Sequence, residues 1–133
     1  GGFFEMAQHR GVPTANVTAA SLNEEGGFSA TKALMARAER PRAIFAVNDY
    51  VAIGALHALH NEGLSVPGDV AVMGFDDIPV ASLAYPSLTT VSQPQAELGR
   101  RAAECLMSRI KGEQDGPGRE REVDYAIVER GST

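Results

Sequence analysis

Apolar residues along this chain fall into short unbroken runs and into longer stretches where they recur every three or four positions. RAIFAV (42–47), VAVMGF (70–75) and SLTTV (87–91) are runs of the first kind and read as strands. The unbroken character of RAIFAV predicts a strand buried on both faces. Between the first two runs, Ala52, Ala55, Leu56 and Leu59 stand at i, i+3, i+4 and i+7, which predicts an amphipathic helix over 49–62. Gly63 closes that helix and Pro67 follows it. Strand, helix and strand in this short compass make a βαβ crossover with parallel strands. The fold class is therefore α/β, with a mostly parallel sheet flanked by helices in three layers.

The flanking segments fit the same scheme. Phe3, Met6, Ala7 and Arg10 have helical spacing and stop at Gly11, while TANVT (14–18) is β-branched and reads as a strand. SLNEEGG (21–27) reads as a polar loop, and a helix is expected from Phe28 through Thr31, Leu34, Met35 and Ala38, ending before Pro41. A further helix over 95–111 places Leu98, Ala102, Cys105, Leu106 and Ile110 on one face, with Cys105 expected in the core. The charged, glycine-rich 112–122 reads as a flexible loop and VDYAIV (123–128) as a final edge strand.

Three polar clusters follow the three strands directly: Asn48-Asp49, Asp76-Asp77 and Gln93. In an open parallel sheet such groups converge on the crevice at the carboxyl ends of the strands, where ligands bind. Asp49 is expected to cap the helix that starts there. Asn48 is expected to face a ligand, because its amide offers donors and an acceptor to a hydroxyl or a ring nitrogen. Of Asp76 and Asp77, one can accept from ligand hydroxyls while the other fixes the turn before Pro79, and spacing alone does not choose between them.

Composition narrows the function classes. A net charge of -5, from 12 Lys and Arg against 17 Asp and Glu, argues against nucleic-acid binding by this segment. No apolar run approaches the roughly 20 residues that span a bilayer, so no membrane partner is expected. One cysteine cannot form an internal disulfide, which leans cytoplasmic. No G-x-S-x-G elbow, phosphate-binding loop or metal cluster is present, and Gly26-Gly27 lacks phosphate-loop spacing. His57 and His60 are three apart on one helix but lack an evident third ligand. No catalytic residue, cofactor or metal is expected.

The order AVNDYVAIGALHALHNEGLSVPGDVAVMGFDDIP, then YPSLTTVSQP with ELGRRA, then VERGST, resembles the LacI/GalR family of bacterial transcriptional regulators. The resemblance begins at GFFEMAQHRG and implies a lobe of the periplasmic-binding-protein type I fold, Rossmann-like, with effector held between two lobes. It also implies a fragment lacking most of the amino-terminal lobe, the hinge and the DNA-binding head. The opening GGFFEMAQHRG, without initiator Met or signal-peptide core, gives the same expectation. On this resemblance Asn48, Asp76 and Gln93 contact the effector, a sugar-like molecule or a purine, and Leu22 stands where family members often place an aromatic ring. A family arginine that grips the effector would precede Gly1.

Ile53, His57 and Leu83 match the family's dimer surface, so a homodimer is implied, with operator DNA reached through the missing head. The resemblance also divides the chain: 1–94 in the carboxyl-terminal lobe, 95–122 in the mostly absent lobe, and 123–133 returning to the first. The apolar face of 95–111 would then lose the sheet it covers and pack elsewhere, on a second copy for instance. The two rivals are a periplasmic sugar-binding protein of the same fold and an α/β enzyme using Asp76 and Asp77. A signal peptide would mark the former, a third convergent catalytic group the latter.

Overall fold

The computed structural model describes residues 2–14, 21–118 and 122–133. Four strands, β1 (Ala43–Phe45), β2 (Ala71–Phe75), β3 (Thr89–Ser92) and β4 (Ala126–Val128), form one sheet in the order β1-β2-β3-β4. β1, β2 and β3 run parallel, with Ala43 opposite Ala71 and Gly74 opposite Thr90. β4 pairs antiparallel with β3, Thr90 opposite Val128. The expected mostly parallel α/β sheet is thus present. The strand expected at 14–18 falls largely outside the described residues.

Helices α1 (Gly2–His9), α2 (Glu24–Met35), α3 (Asp49–Asn61) and α4 (Gln95–Ile110) complete the fold, with a short 3-10 turn at Pro79–Ser82. α3 is packed between α2 and the sheet, burying Val51, Ala52, Ile53, Ala55, Leu56, Ala58 and Leu59. The core closes on Met35 of α2 and on Val70, Val72 and Leu88 in and beside the sheet. Gly63, at φ 72, ends α3 as its spacing predicts. Its N–H reaches the His60 carbonyl and the Leu64 N–H reaches Leu59, both at 3.0 Å, so the last carbonyls of the helix are satisfied.

α2 begins four residues before the expected start. Asn23 caps it, its side chain accepting from the Gly26 N–H at 3.0 Å, so Gly26 and Gly27 lie inside the helix. Glycine weakens a helix interior, and the reason for it here is contact with α3. A Cβ on Gly27 would strike the Val51 backbone, and one on Gly54 would strike the backbone of Glu24 and Phe28. The two helices therefore meet main chain to main chain.

β1 is not buried on both faces. Phe45 is 41% exposed, and the sheet face bearing Ala43, Phe45, Ala71, Met73 and Val91 forms an open apolar trough. Among the described strands β1 lies at the sheet edge, and α2 and α3 pack on the opposite side. An unbroken apolar run signals two-sided burial, and among the described residues the second cover is not assembled.

α4 has no buried residue; Leu98, Leu106, Met107 and Ile110 are all exposed and Cys105 is half-buried rather than in the core. Its polar side chains serve the helix and its following loop. Arg100 and Arg101 both bond Glu97, pulling that carboxyl down to about 2, and Arg109 donates to the Gly116 and Pro117 carbonyls. No described helix is long and apolar enough to cross a membrane.

Candidate functional site

Parallel neighbours deliver their carboxyl ends to one edge of the sheet, so Asn48, Asp76 and Gln93 emerge side by side after β1, β2 and β3. All three are half-buried. Gln93 Nε2 donates to Asp76 Oδ1 at 2.9 Å, which brings two of the expected ligand residues into direct contact. Gln95, not foreseen from the pattern, adds a longer bond from Nε2 to the Asp76 carbonyl at 3.4 Å. Leu22 joins the group through its backbone: Asn48 Nδ2 donates to its carbonyl at 3.3 Å, while its side chain is 65% exposed.

The roles of Asn48 and Asp49 differ from expectation. Asn48 caps α3, its Oδ1 accepting from the Val51 N–H at 2.8 Å. An amide has two donor hydrogens, so the cap and the Leu22 bond leave Asn48 one donor for a ligand. Asp49 is fully buried. Its Oδ2 accepts from the Ile78 N–H at 2.9 Å and its Oδ1 from the Thr90 hydroxyl at 2.6 Å, which joins α3 to β3 and to the loop after β2. Gly74 makes this possible, since a Cβ there would strike Asp49 Oδ1.

The corner after β2 has unusual backbone geometry. Asp76 has φ 110 and Asp77 φ 54, two successive non-glycine residues on the left-handed side. Each such residue costs on the order of 1–3 kcal/mol and persists where surrounding contacts over-determine it, commonly at ligand sites. Asp77 turns away from Asp76 to Arg130, whose Nη2 donates to Oδ1 at 2.7 Å. That bond holds the Asp77 carboxyl below the usual carboxylate range against the opposing pull of burial.

The end of the chain is stitched under the same strands. Ser132 is fully buried; its hydroxyl accepts from the Thr89 N–H at 2.8 Å and donates to the Val72 carbonyl at 2.6 Å. Arg130 also donates to the Leu88 carbonyl at 2.8 Å. Spacing gave no sign of these contacts, although the RGST segment carries part of the family resemblance.

Ile53, His57 and Leu83 line one groove with Leu56, Val80 and Tyr85. Leu83 is 80% and Tyr85 98% exposed, whereas Ile53 belongs to the core at 6%. Among the described residues no three His, Cys, Asp or Glu side chains are grouped as a metal would need.

A parallel sheet with helices packed on it and a polar cluster at its strand ends is the arrangement of an open α/β domain. A family model described as "periplasmic binding protein-like domain" matches residues 1–133. Over 87 residues the chain is 44% identical to the ribose operon repressor of Haemophilus influenzae, covering 65% of this chain and 26% of the repressor. A LacI-type transcription regulator from Bifidobacterium animalis subsp. lactis superposes with TM-score 0.84 at 37% identity, covering 98% of this chain and 48% of that one. The transcriptional regulator CelR in complex with cellobiose gives TM-score 0.89 at 34% identity, over 99% and 41%. The chain belongs to the periplasmic-binding-protein-like domain family, in the form carried by LacI-type regulators. It spans about a quarter of the length of that curated repressor and under half of those solved chains.

Proposed function

We propose that this chain is the effector-sensing segment of a LacI-type transcriptional regulator, taking a sugar or related polyhydroxylated molecule at the carboxyl ends of β1, β2 and β3. The observation that carries the reading is the Asp76–Gln93 pair at 2.9 Å beside Asn48 and Leu22. A carboxylate next to an amide offers acceptors and donors at the spacing of neighbouring hydroxyls, with an aliphatic surface alongside. The names of two relatives, a ribose operon repressor and a cellobiose complex, support a saccharide over a purine.

The role is regulatory rather than catalytic. Of the neighbouring carboxylates, Asp77 is committed to Arg130 and Asp49 to Thr90 and Ile78, so neither is free to pair with Asp76 in acid-base work. Residues 1–94 and 123–133 form one lobe. α4 and its loop belong to the other, a division supported by the absence of buried residues on α4 and by the pairing of β4 with β3. Effector that favours one lobe arrangement biases a homodimer built on the Ile53, His57 and Leu83 groove, and through it a DNA-binding head outside this chain, in the cytoplasm.

Thermal-shift measurements on the full-length protein with D-ribose, cellobiose and a purine panel test this. Saturation at about 100 times Kd adds roughly 2.7 kcal/mol of apparent stability. A saccharide hit that disappears in Asp76→Ala is the expected result. A purine hit would replace the ligand class, and no hit on folded protein would overturn small-molecule sensing at this site.

A further inference from the structure

The corner bearing Asp76 is held by an arrangement that neither capping nor turn chemistry requires. Three consecutive backbone N–H groups are each taken by a different partner. The Asp76 N–H donates to the Val91 carbonyl at 2.9 Å, the Asp77 N–H to Thr90 Oγ1 at 3.4 Å, and the Ile78 N–H to Asp49 Oδ2 at 2.9 Å. Thr90 in turn donates its hydroxyl hydrogen to Asp49 Oδ1 at 2.6 Å, so one buried carboxylate and one buried hydroxyl secure two of the three. Arg130 closes the corner from the other side through Asp77. Between them these groups hold two left-handed residues that would relax if released.

We propose that Asp49 and Thr90 are positioning residues for the ligand site: they fix the Asp76–Asp77 corner so that the Asp76 carboxylate stays beside the Gln93 amide. Neither touches the ligand. Asp49 sits behind the corner at zero exposure, in the space that Gly74 leaves by lacking a Cβ. Without the carboxylate and hydroxyl, Asp76 would sample other backbone conformations and part from Gln93, and the site would bind more weakly although its contact residues were intact. The claim about the corner stands on geometry; the claim about affinity rests on the saccharide reading above.

The test uses the full-length protein with Thr90→Val, Asp49→Asn and, as the conservative rescue, Thr90→Ser. Amide hydrogen exchange is followed at Asp77 and Ile78 and, for comparison, at Val72 and Gly74 in β2. Affinity for D-ribose and cellobiose is measured by calorimetry. Exchange at Asp77 and Ile78 should rise at least about tenfold in Thr90→Val and Asp49→Asn with β2 little changed. Sugar affinity should fall by a similar factor, and Thr90→Ser should match wild type in both. Unchanged exchange at the corner, or a rise shared equally by β2, overturns the proposal, as does a loosened corner with undiminished affinity. If wild type binds neither sugar, the saccharide reading fails, and the exchange comparison still decides whether the corner is held as argued.

Discussion

Arg130 Nη2 lies 2.7 Å from Asp77 Oδ1, joining the segment after β4 to the corner after β2. Both side chains are largely screened from water, at 19% and 24% exposure, so this pair escapes the near-zero value of most surface ion pairs. The bond from Arg130 holds the folded-state pKa of Asp77 below its ordinary 3.8. The stabilisation is therefore complete above that value and is lost as pH falls through the folded-state pKa. Arg130→Met should cost about 1–3 kcal/mol at pH 7, measured by urea unfolding. The gap between variant and wild type should narrow well below pH 4, and an equal gap at both pH values would assign the loss to packing instead.

Asn48 carries two jobs that substitution can separate. Asn48→Ala removes the α3 cap and should cost about 1 kcal/mol in thermal or chemical unfolding. Asn48→Asp keeps a capping oxygen but cannot donate to the Leu22 carbonyl, so it should unfold close to wild type while binding effector more weakly. Equal stability losses in both variants would place the weight on the Leu22 bond.

Ser132 is buried beside two strands, its hydroxyl accepting from one and donating to the other. Ser132→Ala leaves the Thr89 N–H and the Val72 carbonyl without that partner and should cost about 1–3 kcal/mol, read as a fall in the urea midpoint with unchanged slope. A neutral result would mean that water replaces the hydroxyl.

Two glycine-to-alanine changes should have opposite signs. Gly54→Ala drives a methyl into the α2 backbone and should destabilise by about 1–3 kcal/mol or more. A Cβ on Gly99, inside α4, meets nothing within 4 Å, so Gly99→Ala should raise α4 helicity, by up to about 1 kcal/mol. Circular dichroism and thermal unfolding of the pair check both signs.

Leu83 is 80% exposed at the rim of the groove it shares with His57. If that groove is the homodimer surface, Leu83→Asp buries a charge at the contact and should shift sedimentation of the full-length protein from dimer toward monomer. An unchanged dimer would move the interface elsewhere.

Residues in regular elements were the most legible. The unbroken runs and the helical spacing located β1, β2, β3, α3 and α4 to within a few residues, because burial imposes periods of its own. The strand-end positions of Asn48, Asp76 and Gln93 followed from that. The division of labour between Asn48 and Asp49 did not, since either side chain can cap. The choice was made by Thr90 and the Ile78 N–H, 41 and 29 residues away in sequence. Gly26 and Gly27 read as loop for a similar reason: what keeps them helical is the backbone of another helix. The left-handed corner left no trace in composition, because aspartate is also an ordinary turn former.

The main-chain contact between α2 and α3 has a consequence for how the site responds. Backbone contact at Gly27 and Gly54 limits how far the two helices can slide, and their amino ends carry Leu22 and Asn48. Asn48 and Leu22 are thereby held together, and the neighbouring Asp49 ties the same helix end to the corner that bears Asp76. Under the saccharide reading proposed above, a longer or shorter ligand would be accommodated most readily at the exposed Leu22 side chain, which can be exchanged without moving the helix ends beneath it.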